Sequence, residues 1–220
     1  MDSVYISSPN MDTVNMPKPP PPRSDRGYHH GDLRRVLLAA ATNLLDEHGI
    51  DAVTVRAVAR EADVAHSAPA NHFKDRTALL TQLAVEAFQA LIRDVDDACG
   101  RSGTTKREQL EAFAQVVVGF AFSFPNRYRL LWRTDCIDQS KAEFQIAGGA
   151  IYERLRQIME LGEKSRQLSP DTHVIAAWAL VHGYICLRLD GTLTAGEDER
   201  TGEPRDRAIV RTLIDGIGAD

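Results

Sequence analysis

Residues 54–73 read Thr54-Val55-Arg56-Ala57-Val58-Ala59-Arg60-Glu61-Ala62-Asp63-Val64-Ala65-His66-Ser67-Ala68-Pro69-Ala70-Asn71-His72-Phe73. Thr54 suits an N-cap, because its hydroxyl can accept a bond from one of the unsatisfied first amides of a helix. Val53 and Val58 stand where a hydrophobic staple would fix the chain's entry into that helix. The spacing predicts a short helix from Val55 to about Ala62, with Val55, Val58 and Ala59 inward and Arg56 and Arg60 on other faces. Ala62-Asp63-Val64 predicts a tight turn, and a second short helix is expected from about His66 to Phe73. Upstream, Leu33, Leu37, Ala40 and Leu44 follow helical spacing and predict a helix from about Asp32 to His48, stopped by Gly49. Three short helices, the last two joined by a tight turn, make a helix-turn-helix. A helix fits the major groove of DNA, so the second of the pair can present side chains to base edges while the first crosses the backbone.

The rest of the chain also reads as helices. One begins at Asp75, whose carboxylate can cap it, and runs to about Asp97. Others are expected over about Thr105–Ser123, Arg127–Arg133, Gln139–Leu161 and Pro170–Leu189, and a last one from about Pro204 to Ile217. Ser169-Pro170-Asp171 is a strong start signal, with a capping hydroxyl, a first-position proline and an acid in the first turn. No alternating strand pattern and no internal repeat is visible. The expected fold is all-α: an N-terminal three-helix head over residues 28–75, then a larger helical domain over 76–220. Residues 1–27 are expected to be a disordered tail, since Pro19 to Pro22 favour polyproline II, and Arg23 and Arg26 could make it a basic arm.

Composition bounds the function. With 43% apolar and 26% charged residues, the chain has the balance of a soluble globular protein. No uninterrupted apolar run reaches membrane-spanning length and no signal peptide is recognisable, so no membrane partner is expected. Cys99, Cys136 and Cys186 are an odd, widely spaced set. That fits a reducing, cytoplasmic compartment and small apolar or incidental thiols rather than a disulfide framework. The net charge is -5, but Arg23 to Arg76 holds eight basic and eight acidic residues, and five of the seven histidines. DNA binding would therefore rest on where charge is placed, not on its excess. Enzyme motifs are missing: no Gly-rich phosphate loop, no Gly-x-Ser-x-Gly, no His-Glu-x-x-His and no paired metal-ligand spacing. No cofactor, metal or catalytic residue is expected.

Several segments together resemble the tetracycline-repressor (TetR) family. They are Tyr28-His29-His30-Gly31-Asp32-Leu33-Arg34, Gly49, Thr54 to Ala59, Ala62-Asp63-Val64, and His72-Phe73-Lys74-Asp75-Arg76-Thr77-Ala78-Leu79-Leu80. Phe124-Pro125, Tyr128-Arg129-Leu130-Leu131 and Ala177-Trp178-Ala179-Leu180-Val181-His182-Gly183 resemble a subgroup with a Trp-His-Gly ligand domain. The resemblance implies a homodimeric transcriptional regulator, most often a repressor, that reads operator DNA and is released by a small-molecule effector. It implies that Thr54, Arg56, Lys74 and Arg76 meet phosphates and that His66, Ser67, Ala68 and Asn71 face the groove. His72 is divided between backbone contact and packing, and Phe73 is core. The family usually has Ser at position 65 and Tyr at position 70, and both are Ala here. That removes a capping hydroxyl and a usual phosphate contact. Asp63 stands where Gly is usual, and Asp tolerates a left-handed conformation.

The helices after residue 76 carry Phe120, Phe124, Tyr128, Trp132, Tyr152, Trp178, His182 and Tyr184. Each alone reads as ordinary core. Together they suit an apolar pocket with few polar anchors, for which Phe120, Trp132, Trp178 and His182 are the candidate ligand residues. Val174, Ala177, Val181 and Ile185, with Ile209, Leu213 and Ile217, are the expected dimer faces. The competing reading is a dimeric helical ligand binder whose DNA head has weakened through Ala65 and Ala70.

Overall fold

A computed structural model describes residues 30–161 and 169–216; the expected tail and Ile217 lie outside them. The described residues form eight α-helices and no strand, apart from one isolated bridge between Glu197 and Pro204. They are α1 (His30–His48), α2 (Val55–Glu61), α3 (Arg76–Arg101), α4 (Lys106–Ser123), α5 (Pro125–Leu131), α6 (Ala142–Glu160), α7 (Pro170–Leu189) and α8 (Arg205–Gly216). The all-α expectation holds.

The helix ends follow local chemistry. Thr54 caps α2, its Oγ1 accepting from the Ala57 amide at 3.1 Å, and Val53 and Val58 are both fully buried as a staple requires. Gly49 ends α1 with φ +81°, and Ile50 then folds back into the core. α4 opens on a capping box that the sequence reading had not singled out: the Thr105 hydroxyl accepts from the Glu108 amide and the Glu108 carboxylate from the Thr105 amide. α3 runs on past the expected stop at Asp97 to Arg101. Cys99 is buried there, and its carbonyl accepts from Ser102 Oγ and Gln109 Nε2, both at 2.9 Å, which finishes the helix.

The turn after α2 is a Schellman motif with Asp63 in the left-handed position, φ +50°. The Asp63 amide bonds the Arg60 carbonyl and the Val64 amide bonds the Ala59 carbonyl, at 3.1 and 3.0 Å. A left-handed L-residue is strained, although Asp is among those that tolerate it. Asp63→Gly should therefore stabilise the head, by about 0.5–1 kcal/mol after glycine's greater unfolded freedom is subtracted. Urea unfolding checks this; an unchanged or lowered midpoint would contradict it.

The expected second helix of the pair, His66–Phe73, is not an α-helix. It is a turn followed by a 3-10 helix, Pro69–Asn71. The cause is Pro69. In a helix starting at His66, the amide of residue 69 would make the first bond of the α ladder, to the Ala65 carbonyl, and proline has no amide hydrogen. Bonds three residues back take over: Ala68 to Ala65, Asn71 to Ala68 and His72 to Pro69. Only the Phe73 amide, at 2.8 Å from the Pro69 carbonyl, closes an α turn.

α3 is the axis of the molecule. Leu79, Leu80, Leu83 and Ala84 meet the head, and Phe88, Leu91, Val95 and Cys99 continue into the C-terminal helices, all of them buried. One apolar core joins α1, α2 and Phe73 to α4–α8. α7 packs on α4, α6 and α8. Val174, Ala177, Val181 and Ile185 point into that core, which corrects their expected place on a dimer face. The uncovered side of α7 instead carries Ile175, Ala176, Ala179 and Leu187. Residues 171–189, with mean hydropathy 1.2, are long and apolar enough by composition to cross a membrane. Here they have an apolar side for the core and a second one facing out.

Candidate functional site

The reading segment presents Ala65, His66, Ser67, Ala70 and Asn71 as exposed residues, while Pro69 and Phe73 are buried beneath them. Ala68 is half-buried and packs against the core, so the outward alanine is Ala70. Thr54 and Arg56 are exposed at the start of α2, and Lys74 is exposed just before α3. His72 is half-buried. Arg34 of α1 lies over the Phe73 ring, 5.5 Å from its centre, and backs the segment.

Arg76 is placed differently from the expectation of a phosphate ligand. Its Nε donates to the Val53 carbonyl and its Nη2 to the Ile50 carbonyl, each at 2.7 Å. It ties the start of α3 to the turn that enters α2. The exposed Asp51, 3.7 Å from the guanidinium, adds little.

A second tie joins head and body. Arg127 of α5 pairs with Asp46 of α1 through two bonds, at 2.8 and 2.5 Å, and Asn126 Nδ2 donates to the Asp46 carbonyl at 3.2 Å. The next residue of α5, Tyr128, is buried and its hydroxyl shares a 2.7 Å hydrogen bond with His182 Nδ1. His182 Nε2 lies 3.5 Å from Cys186 Sγ. Burial raises the Tyr128 phenol well above its ordinary range and lowers the His182 imidazole, so a neutral phenol meets a neutral ring. Burial also raises all three cysteine thiols, which fits incidental thiols rather than reactive ones.

Beside this network lies a pocket of about 410 Å³ among α3, α6, α7 and the end of α5. Trp132 and Trp178 line it, as the sequence suggested, and so does Tyr152. His182 stands behind them, stacked on Trp178 at 11° and with its ring centre 4.9 Å from that of Trp132. Phe120 packs on Phe124 and is not among the lining residues. Phe88, Phe144, Gln139, Gln145, Gly148 and Gly149 also line it, with Leu131, Ile151 and Leu155, and none of these is a candidate ligand residue in the sequence. Phe88 and Phe144 read as core by periodicity, which they also are. The glycine pair, in mid-helix without a turn to make, was the signal that could have been followed.

The matches to known proteins agree with this layout. Residues 37–83 match the model of bacterial regulatory proteins of the tetR family, and residues 110–212 match a tetracyclin repressor-like C-terminal domain. The chain belongs to the TetR family. It is a TetR-type transcriptional regulator, with a helix-turn-helix head and a helical C-terminal domain. Among solved structures it is 30% identical to a protein of unknown function from Rhodococcus sp. RHA1, over 88% of this chain and 97% of that one, with a TM-score of 0.70. The TetR regulator PfmR from Thermus thermophilus is 17% identical over 82% and 96% of the two chains, TM-score 0.59. A TetR regulator from Marinobacter aquaeolei VT8 is 17% identical over 84% and 95%, TM-score 0.63. The last two are likenesses of fold alone. No curated protein matches the chain.

Proposed function

We propose that this TetR regulator is a repressor that binds a palindromic operator as a two-fold homodimer and is released when a small molecule fills the pocket. The observation that carries the reading is the path of α3. It starts under the reading segment, and Phe88, three turns along, is a wall of the pocket. Material filling the pocket pushes on the element that sets the attitude of the head. In a dimer the two heads must lie about 34–36 Å apart to enter successive major grooves, so a small tilt spoils both contacts. A ligand drives release only if it binds the DNA-incompetent arrangement more tightly. The free side of α7, with Ile175 60% and Leu187 47% exposed beside Ala176 and Ala179, suits an isologous contact with a second copy. The Trp178–His182–Gly183 stretch supports placing the chain in the Trp-His-Gly subgroup.

Within the head, Thr54, Arg56 and Lys74 hold phosphates, and His66, Ser67 and Asn71 read bases, with Ala68 backing them. Selection from random duplexes, followed by gel-shift titration, tests this. A dimer touching about 6–10 phosphates loses roughly 10³–10⁵ in affinity between 50 and 200 mM salt. Lys74→Ala should weaken all duplexes alike, whereas Asn71→Ala should change which is preferred. No preferred duplex and no salt dependence would favour the second reading, a ligand binder with a decayed head. The short 3-10 segment with Ala65 and Ala70 is what favours that alternative.

A further inference from the structure

Gly148 and Gly149 sit in the middle of α6, where each glycine costs about 1 kcal/mol relative to alanine. Neither has a positive φ, so the backbone does not require them. Their effect is to leave a bare stretch of helix on the pocket wall. A Cβ at Gly148 would touch the Phe88 ring at 3.4 Å, while one at Gly149 would meet nothing within 4 Å. Gly149 is itself exposed, so the open space beside it lies at the mouth of the pocket that it lines.

The other walls are the rings of Phe88, Phe144, Trp132 and Trp178 with the aliphatic Leu131, Ile151 and Leu155 between them, and neighbouring rings meet at an angle, as in the 84° contact of Phe88 with Trp132. Such walls take a flat aromatic guest by offset stacking and edge contacts. Among the described residues, no Lys, Arg, Asp, Glu or His belongs to the lining. An anion on the ring floor would give up hydration and face the negative ring faces with no counter-charge, and a cation would have those faces alone, with no carboxylate in the lining, to offset its loss. Gln139 and Gln145 bring amides to the exposed rim, each able to donate and accept, and the buried Trp132 Nε1 of the lining has no hydrogen-bond partner. The Tyr152 hydroxyl is turned to Asp171, at 3.3 Å.

We propose that this pocket takes an uncharged, fused-ring aromatic molecule bearing one amide- or carbonyl-type group, laid against the bare backbone at Gly149 and the Phe88 ring that packs on Gly148. The proposal rests on the reading of the pocket as the effector site. Three probes share a bicyclic ring and differ in charge: 2-quinolinone, quinoline-2-carboxylate and N-methylquinolinium. Titration of the full chain, followed by tryptophan fluorescence and calorimetry, should show 2-quinolinone binding and each charged probe at least about tenfold weaker. Gly149→Leu should abolish binding. Gly149→Ala should raise the melting temperature, because alanine is the better helix former, while weakening binding. Tighter binding of the carboxylate or the quinolinium, binding of none of the three, or unchanged binding in Gly149→Leu would each overturn the proposal. Operator release is read separately. If 2-quinolinone binds but leaves operator affinity unchanged, the pocket chemistry stands and the regulatory reading falls. If the carboxylate binds instead and releases the operator, the reverse holds.

Discussion

Arg76→Ala will cost the reading head about 2–4 kcal/mol, because it removes two charge-assisted hydrogen bonds and leaves the Val53 and Ile50 carbonyls without that donor. The expected result is an early unfolding transition of the head in urea, with operator binding lost as its consequence. Arg76→Lys should recover only part, since an ammonium cannot reproduce the planar fork that serves two carbonyls at once. Lys74→Ala is the contrast: its exposed side chain leaves stability unchanged and lowers affinity with a shallower salt slope. If Arg76→Ala left the unfolding curve where it was and only flattened the salt dependence, Arg76 would be a phosphate ligand after all. The same pair of measurements thus separates an arginine that builds the head from a lysine that touches DNA.

The second large effect is expected at His182. The ring partners the Tyr128 hydroxyl, stacks on Trp178 and abuts Trp132. His182→Ala opens a cavity and strands a buried phenol, for a loss of about 2–4 kcal/mol. A cycle with Tyr128→Phe should be non-additive, because the two side chains share one bond. pH gives an independent check. Burial lowers the folded-state pKa of His182 below its ordinary value of 6.5. Above that pH both folded and unfolded chains hold it neutral, and stability does not depend on it. As the pH falls below 6.5 the unfolded chain takes up a proton that the folded one refuses, so stability declines, by up to about 1.4 kcal/mol per pH unit. The decline ends once the pH drops below the folded pKa. The surface carboxylates with lowered pKa values, such as Glu108 and Glu153, begin to matter only near their ordinary 4.5 and below. His182→Gln should therefore flatten the curve between pH 7 and 5. A slope that survives this change would place the titrating group elsewhere.

The two ties between head and body give the proposed regulation a physical course. α3 carries Phe88 to the pocket, and α5 carries Asn126 and Arg127 to Asp46, the adjacent Tyr128 to His182, and at its end Trp132 to the pocket. A shift of either helix reaches α1 through groups already in contact. A coupling of about 1–3 kcal/mol, enough to change operator affinity roughly 5–150-fold, is the scale such a linkage has to supply.

The sequence by itself determined the all-α class and most of the helices. Thr54 with its valine staple, Gly49, Asp75 and Ser169-Pro170 are local signals: each acts on amides a few residues away, so each can be read without knowing the fold. Residue type pointed to Trp132 and Trp178, which line one pocket, but equally to Phe120 and His182, which do not. Tertiary structure decided the rest. Pro69 lacks the amide that would open the expected helix, and the segment is a turn with a 3-10 helix instead. Arg76 looked like a phosphate ligand because its partners, two backbone carbonyls 23 and 26 residues away, carry no sequence signal. α7 is apolar on two sides, and periodicity finds a stripe without saying which body covers it; only packing on α4, α6 and α8 sent Val174 and Val181 inward and Ile175 outward. Gly148 and Gly149 acquired a meaning once Phe88 stood beside them. A pocket is a property of what neighbouring helices leave empty, and no single helix encodes that.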